Sequence, residues 1–314
     1  MKILFISSGN SETGISPIVL NQGESVAKTG QSLSYFTIKG KGLSGYLRNI
    51  PRLRKYLKDN HFDIIHAHYS LSAMLTSISG AKPVVASLMG TDVKANRIFR
   101  ILSWIFVRFF WKEVIVKSED MKQSLRLDDV KIIPNGVNIE RFKPFEKRYA
   151  LECLKWDTGK KHIIFASDPG RPEKNFQLTR EAIELLTDEP DLELHFLKDI
   201  PNEMVPLFLN AAEVLILTSL WEGSPNVIKE SMACNCPIVS TGVGDVKWVF
   251  GDVEGCYLAS FDPHEVADKI KSALNFSATH GKTSGRDRIL SLGLDSESIA
   301  VKLVKIYEGI ISKN

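Results

Sequence analysis

Eleven short apolar runs, separated by helix-length segments, constrain the fold of this chain more than any other feature. In the first half they are "KILFIS" (2–7), "LSYFTI" (33–38), "DIIHA" (63–67), "PVVAS" (83–87), "EVIVK" (113–117) and "VKIIP" (130–134). In the second half they are "HIIFAS" (162–167), "LELHFL" (192–197), "EVLIL" (213–217), "PIVST" (237–241) and "CYLAS" (256–260). Runs that are apolar throughout predict strands covered on both faces, as in parallel sheets sandwiched between helices. The pattern lapses across the polar "NGVNIERFKPFEKRYALECL" (135–154), which holds a proline and no strand of its own. A chain of 314 residues exceeds one ordinary core. The expected architecture is therefore α/β, with two Rossmann-like, doubly wound parallel-sheet domains, 1–145 and 150–295, facing a central cleft. Ligands of such sheets bind at the carboxyl ends of the strands. Beyond them, Ile299, Leu303, Ile306 and Ile310 recur at helical spacing and predict a final helix within 296–314.

Composition excludes several other classes. The chain is 44% hydrophobic and 25% charged, the balance of a globular protein. No stretch of about 18 uninterrupted apolar residues occurs. The start, "MKILFISSGNSETG", has an apolar run too short for a signal peptide, so a cytoplasmic location is expected. Cys153, Cys234, Cys236 and Cys256 lack the spacing of a zinc site or redox pair and read as reduced thiols. Gly9 and Gly14 stand as G-x-x-x-x-G, without the dinucleotide fingerprint or the Lys-Ser/Thr of a P-loop, so NAD and ATP are discounted.

One segment concentrates chemistry. In "LWEGSPNVIKESMAC" (220–234), Ser224 and Pro225 have the character of an N-cap and first helical residue, which predicts a helix from Pro225 to about Cys234. Asn226 and Glu230 then share a helix face, and Glu222 lies just outside the start. Free N–H groups and the helix dipole at residues 223–227 suit an anion such as phosphate. A plain cap with two solvated acids accounts for the same residues. After the strand at 162–167, "DPGRPEKNF" (168–176) brings Arg171 and Lys174 to another carboxyl end. A guanidinium and an ammonium are suited to a pyrophosphate, although two solvated surface bases are the simpler account of that loop alone.

Taken together, "LWEGSPNVIKESMACNCPIVSTGVGDV" (220–246) resembles the E-x7-E region of the retaining glycosyltransferases of family four, which have the GT-B fold. "KIIPNGVNIERFKP" (131–144) resembles that family's P-N-G-V-D-x-x-x-F segment, and "DIIHAHYSLSA" (63–73) and "EGCYLASFDPHEVADKI" (254–270) match two further stretches. The resemblance implies a hexosyltransferase that uses a UDP- or GDP-sugar and needs no metal ion or other cofactor. Glu222 would hold the donor sugar's hydroxyls and Glu230 the ribose hydroxyls, and Gly223, Ser224, Pro225 and Asn226 would contact sugar or phosphates. Arg171 and Lys174 would stabilise the departing diphosphate, while Gly9 and Gly14 would let the first-domain backbone approach the substrates. It also implies that the final helix returns to pack on the first domain and that closure of the two domains over the donor completes the site.

The chain departs from the family pattern in three places. Met89 in "SLMGTDV" (87–93) stands where the family has a histidine, which leaves Asp92 and His68 as polar candidates on the acceptor side. A lone histidine after a strand is also commonly structural. The Arg-Lys loop is shifted by Ser167-Asp168, and the connection "KDIPNEMVP" (198–206) is trimmed. A non-catalytic sugar-nucleotide binder and a sugar-nucleotide epimerase are the alternatives these departures keep open.

Charge suggests where the acceptor sits. Residues 1–150 carry 23 Lys and Arg against 12 Asp and Glu, net +11, whereas the remainder carries 17 against 25, net −8. The stretch 39–58 holds Lys39, Lys41, Arg48, Arg52, Arg54, Lys55 and Lys58 with no acid, and Leu43, Tyr46, Leu47, Ile50, Leu53 and Leu57 at roughly helical spacing. A solvated basic face is the plain reading. An acidic second half and the lack of an aromatic-basic RNA signature argue against nucleic acid. An anionic membrane surface fits residues 39–58, and with it a glycan or lipid-linked saccharide acceptor in surface polysaccharide biosynthesis, with the protein peripheral at the inner face of the plasma membrane. The aromatic stretch at 96–112 is expected to be a largely buried helix.

Overall fold

The computed structural model describes residues 1–10, 14–40, 42–90, 97–126 and 129–313, with only the backbone described for 97–101. The chain divides into two compact units, Met1–Gly136 with Ser296–Asn314, and Val137–Asp295.

The first unit holds a six-stranded sheet in the order β2-β1-β3-β4-β5-β6, with all pairs parallel. The strands are β1 (Lys2–Ser8), β2 (Ser32–Ile38), β3 (Ile64–His68), β4 (Val84–Ser87), β5 (Glu113–Val116) and β6 (Lys131–Ile132). Ile3, Leu4, Phe5 and Ile6 of β1 are all fully buried, as a strand covered on both faces requires. β6 is reduced to two exposed residues at the sheet edge, and Pro134, which follows it, has no N–H to extend a ladder.

Order reverses between β1 and β3, and the loops at their carboxyl ends therefore diverge. The final helix, Ser296–Ile311, packs on the helix Pro17–Lys28 of the same unit. Ile299, Leu303 and Ile310 are buried, and Tyr307 supplies the fourth inward position in place of the half-buried Ile306. A buried polar chain joins that helix to the sheet: the Tyr307 hydroxyl lies 2.6 Å from His66 Nδ1, and His66 Nε2 lies 2.7 Å from Ser87 Oγ. A second tie runs from Asn21 Nδ2, which donates to Ser296 Oγ at 2.8 Å.

Two expectations for this unit need correction. The basic stretch forms two helices, Gly42–Leu47 and Ile50–Asp59, because Pro51 starts a new helix and the Asn49 amide donates back to Lys39 O and Gly45 O, both at 2.8 Å. Tyr46 and Leu53 are buried, but Leu43 and Leu47 are exposed, and Lys41 lies outside the described residues. The helix Arg97–Phe109 is not a buried one. Phe106 and Val107 pack on the core, whereas Trp104, Phe109 and Phe110 are 50%, 71% and 50% exposed. Its described side chains place apolar residues on both faces, and only one face is covered.

The second unit holds a five-stranded parallel sheet, order β11-β10-β9-β7-β8. Its strands are β7 (Lys161–Phe165), β8 (Leu192–Phe196), β9 (Val214–Leu217), β10 (Ile238–Thr241) and β11 (Cys256–Ala259). The central β9 is buried along its whole length, and the edge strand β8 is half-buried throughout. Ile163, Val214, Ile216 and Val239 meet Val266, Ile270 and Leu274 of the helix Pro263–His280 in one core. This packing fixes the carboxyl ends of β7, β9 and β10, from which three loops emerge side by side.

Candidate active site

The loop after β7 and the loop after β9 are stitched together by their own polar groups. Thr218 Oγ1, one residue past β9, donates to Asn175 O at 3.0 Å and lies 2.8 Å from Thr179 Oγ1. Leu220 N donates to Glu173 O at 2.9 Å. Between these ties Pro172–Lys174 makes one 3-10 turn, ended by Asn175 in the left-handed region at φ 53°. The turn sends Lys174 toward Glu222, and Nζ lies 2.5 Å from Oε1. The same carboxylate oxygen accepts from Ser219 Oγ at 2.7 Å. Both charged side chains are mostly buried, 14% and 16% exposed, so each is the other's main compensation. Arg171 is half-exposed beside them, its Nε donating to Glu173 at 2.9 Å.

The helix after β9 runs over Asn226–Ala233. Ser224 is not its cap, contrary to expectation. Pro225 occupies the cap position in extended conformation, ψ 116°, with no side-chain cap bond, so the helix starts one residue later. Ser224 Oγ instead accepts from Lys229 Nζ at 2.9 Å. Lys229 is almost fully buried, which pulls its ammonium below the usual range, while Asp245 and Glu230 act to hold the charge. Burial likewise raises the Asp245 carboxyl, against Lys229 and Ser224.

Glu230 is half-buried one position further along, and burial pushes its carboxyl up to about 7 despite Lys229 and Arg141. Asn226 Oδ1 and Asp245 Oδ2 are buried acceptors without a partner among the described residues. Such acceptors are costly unless something donates to them, and ligand hydroxyl or N–H groups would.

Gly223 and Pro225 are buried in the same place. Gly244 has φ 58°, and a Cβ there would come 2.7 Å from Gly223 O. The loop after β10 thus presses directly on the segment that carries Glu222. Gly244→Ala is expected to cost about 1–3 kcal/mol through strain and to push this segment outward. Thermal unfolding and donor titration would both register the change. Unaltered donor binding would show that the two loops are not coupled.

Lys229, Gly244 and Asp245 are site residues that the sequence patterns above do not single out. Their signal was present in "GVGDV" (242–246), a glycine pair and an acid directly after a strand, and in a lysine on a helix face otherwise buried.

The remaining candidates lie in the first unit. Gly9 N donates to Ile38 O at 2.8 Å, and a Cβ there would come 2.8 Å from Thr37 Cβ, so this glycine serves close packing on β2. Gly14 has φ 82°, and a Cβ there would meet no atom within 4 Å among the described residues. His68 is 3% exposed, lies 4.7 Å from Phe5 and 4.4 Å from His66 between ring centres, and is held near 3 by burial and by Lys117. It is a neutral interior ring. Its Nε2 has no partner among the described residues. Met89 is partly exposed, and Asp92 lies outside the described residues.

The family sequence models match in the order of these two units. Glycosyltransferase Family 4 matches residues 20–141, and Glycosyl transferases group 1 matches residues 160–275. A Bacillus subtilis protein named provisionally as the teichuronic acid biosynthesis glycosyltransferase TuaC is 27% identical over 223 residues, 62% of this chain and 57% of that protein. The Escherichia coli UDP-Gal:alpha-D-GlcNAc-diphosphoundecaprenol alpha-1,3-galactosyltransferase is 24% identical over 241 residues, 63% of this chain and 62% of that protein. The chain therefore spans about three fifths of the length of these relatives. The Anabaena protein HepE, solved with UDP-glucose, superposes with a TM-score of 0.78 at 16% identity, covering 98% of this chain and 100% of HepE. Two parallel-sheet α/β units, the two family matches in sequence and the superposition agree: the chain belongs to the glycosyltransferases of family four and has the GT-B fold.

Proposed function

We propose that this protein moves a hexose-type sugar, with retention, from a UDP- or GDP-sugar to a hydroxyl of a glycan or lipid-linked saccharide, in surface polysaccharide biosynthesis. The observation that carries the proposal is the buried Lys174–Glu222 pair beside Arg171 at the start of the helix Asn226–Ala233. In this reading the second unit holds the donor and the first unit the acceptor. Lys174 and Arg171 face the diphosphate, where negative charge grows as the C1–O bond to phosphate breaks. Glu222 and Glu230 accept hydrogen bonds from sugar and ribose hydroxyls.

Retention follows if the acceptor oxygen attacks C1 on the face the phosphate leaves, with its proton passing to a phosphate oxygen. The transfer then needs neither a protein base nor a metal ion, since the protein's own cations meet the charge. Support for the donor class comes from the UDP-glucose bound by HepE, and for the acceptor class from the diphosphoundecaprenol substrate in the name of the E. coli relative. The test supplies UDP- and GDP-sugars with and without lipid-linked saccharide. Consumption of donor that depends on acceptor is expected. Consumption without acceptor would favour an epimerase, and binding without consumption a non-catalytic binder.

Membrane docking of the first unit is part of the same proposal. Arg54, Lys55 and Lys58 project from the helix Ile50–Asp59 into solvent, and Arg54 Nη2 donates to Ile78 O at 3.0 Å. Ile78 is exposed beside a recess lined by Lys82, Arg108, Phe109, Phe110 and Lys112. Cations interleaved with exposed aromatic rings suit an anionic bilayer surface at the inner face of the plasma membrane, each basic residue contributing about 1 kcal/mol. No helix among the described residues is long and apolar enough to cross a membrane.

Arg52 is unsuitable for a charge-reversal test, because its guanidinium is bonded to Thr37 O and lies 4.5 Å from the centre of the Phe36 ring. Wild-type protein is expected to sediment with anionic but not neutral vesicles, and Lys55→Glu with Lys58→Glu to reduce this. Equal sedimentation with both vesicle types would sink the docking idea.

A further inference from the structure

We propose that His162, Glu193 and His195 form a binding site for a divalent transition metal ion of the zinc class, on the edge of the second unit's sheet. This goes beyond the transfer reaction, which does not use these residues. The site follows from strand register. His162 of β7 is paired with Glu193 of β8, and Ile164 with His195. Residues two apart on a strand share a face, and residues in register across parallel strands do so too. All three side chains therefore project from one face, and one nitrogen or oxygen of each lies within 4.8 Å of the others.

The hydrogen bonds around the cluster set the ligand atoms. His162 Nε2 lies 2.7 Å from Asp157 O. A carbonyl only accepts, so Nε2 carries the hydrogen and Nδ1 of the neutral ring presents a lone pair. An imidazole whose second nitrogen donates to a backbone carbonyl is the usual form of a metal-bound histidine. That lone pair faces His195 Nε2 at 3.0 Å. Without metal, one hydrogen shared between the two nitrogens satisfies both. Two nitrogens on one tetrahedral zinc ion would be about 3.3 Å apart, given Zn–N distances of about 2.0–2.1 Å. A small opening of the pair thus admits the ion, and the displaced hydrogen moves to His195 Nδ1, with no net release from the rings.

The surroundings hold the ligands yet leave access. Trp156 stacks on His195 with ring centres 3.6 Å apart and planes 10° from parallel, which restrains its rotation. His162 is fully buried, whereas His195 and Glu193 are half-buried. Glu193 lies 3.4 Å from Lys160, an exposed partner it can leave. Two imidazoles and one carboxylate with water in the fourth position make a familiar zinc donor set.

The test uses tag-free, metal-stripped protein carrying Cys153→Ser, which removes the exposed thiol as a competing ligand. Calorimetry with Zn²⁺ and visible absorption with Co²⁺ are expected to show one equivalent bound per chain. His195→Gln and Glu193→Gln should each weaken binding at least about ten-fold, and His61→Gln, a change at an exposed histidine, should not. Zn²⁺ should also raise the melting temperature of the parent protein but not of His195→Gln. Circular dichroism checks that the variants fold. Absence of one-to-one binding, or binding untouched by both strand β8 variants, overturns the site. Donor consumption in chelator tests the transfer proposal separately, because that reaction is expected to be unchanged when the ion is removed.

Discussion

Lys174→Met is expected to lower turnover about 100- to 1000-fold, with a smaller effect on apparent donor affinity. The ammonium lies 2.5 Å from Glu222 in a mostly buried position, so its field is weakly screened by water. Charge that develops on the leaving phosphate therefore meets a cation fixed in place beforehand, which is where electrostatic stabilisation is largest.

The single change has a second consequence, since it leaves Glu222 as a largely buried carboxylate with Ser219 alone to compensate it among the described residues. Loss of activity could then reflect loss of fold. Combining Lys174→Met with Glu222→Gln removes both charges and is expected to restore the melting temperature. It should leave turnover as low as the worse single variant, because groups that act as a unit are not additive. Equal falls in kcat and kcat/KM would mark an interaction made in the transition state. Near-normal turnover in the double variant would show that the pair is only a structural tie.

This pair illustrates what a sequence read alone can reach. Each of the eleven strands lies within a residue or two of its apolar run, because burial on both faces of a parallel sheet leaves a continuous hydrophobic signal. Arg171, Lys174 and Glu222 lie past the carboxyl ends of β7 and β9, with Glu230 on the helix that follows, a placement the run-and-gap pattern predicts because such sheets carry their loops there. That Lys174 and Glu222, 48 positions apart, form an ion pair was not legible. It depends on the polar stitching by Thr218 and Leu220, which no local pattern reports.

Ser224 shows a different failure. A serine before a proline is a sound cap signal, but the buried Lys229 is a stronger claimant for its oxygen than a helix N–H that solvent or a ligand can satisfy. The aromatic helix Arg97–Phe109 failed for a third reason. Composition reports how apolar a helix is, whereas exposure depends on whether a neighbour covers its second face, and for Trp104, Phe109 and Phe110 none does among the described residues.

Glu230→Gln is expected to make the protein more stable and its donor binding weaker, with both effects growing as pH rises. Burial holds the carboxyl at about 7, above its ordinary 4.5. Between those values the folded chain retains a proton that the unfolded chain has released, so this group's contribution to stability is fully present below pH 4.5 and is lost as pH rises through 7. Glutamine has no charge to desolvate. At pH 8 the variant should therefore exceed the parent by about 1–3 kcal/mol, and near pH 4 the two should agree.

Binding runs the other way. An ionised carboxylate accepts from two ribose hydroxyls at once, whereas its protonated form has turned one oxygen into a donor. If the ionised form is the one that binds, parent affinity should tighten about ten-fold between pH 6 and pH 8, and the variant should show a flat, weaker profile. UDP-glucose and GDP-mannose are the appropriate ligands, because free UDP and GDP carry a terminal phosphate that itself titrates near pH 6. Calorimetry across that range reads the affinity, and chemical unfolding at each pH reads the stability. A parent profile without pH dependence, or a variant that binds as tightly as the parent at pH 8, would remove Glu230 from the nucleotide site.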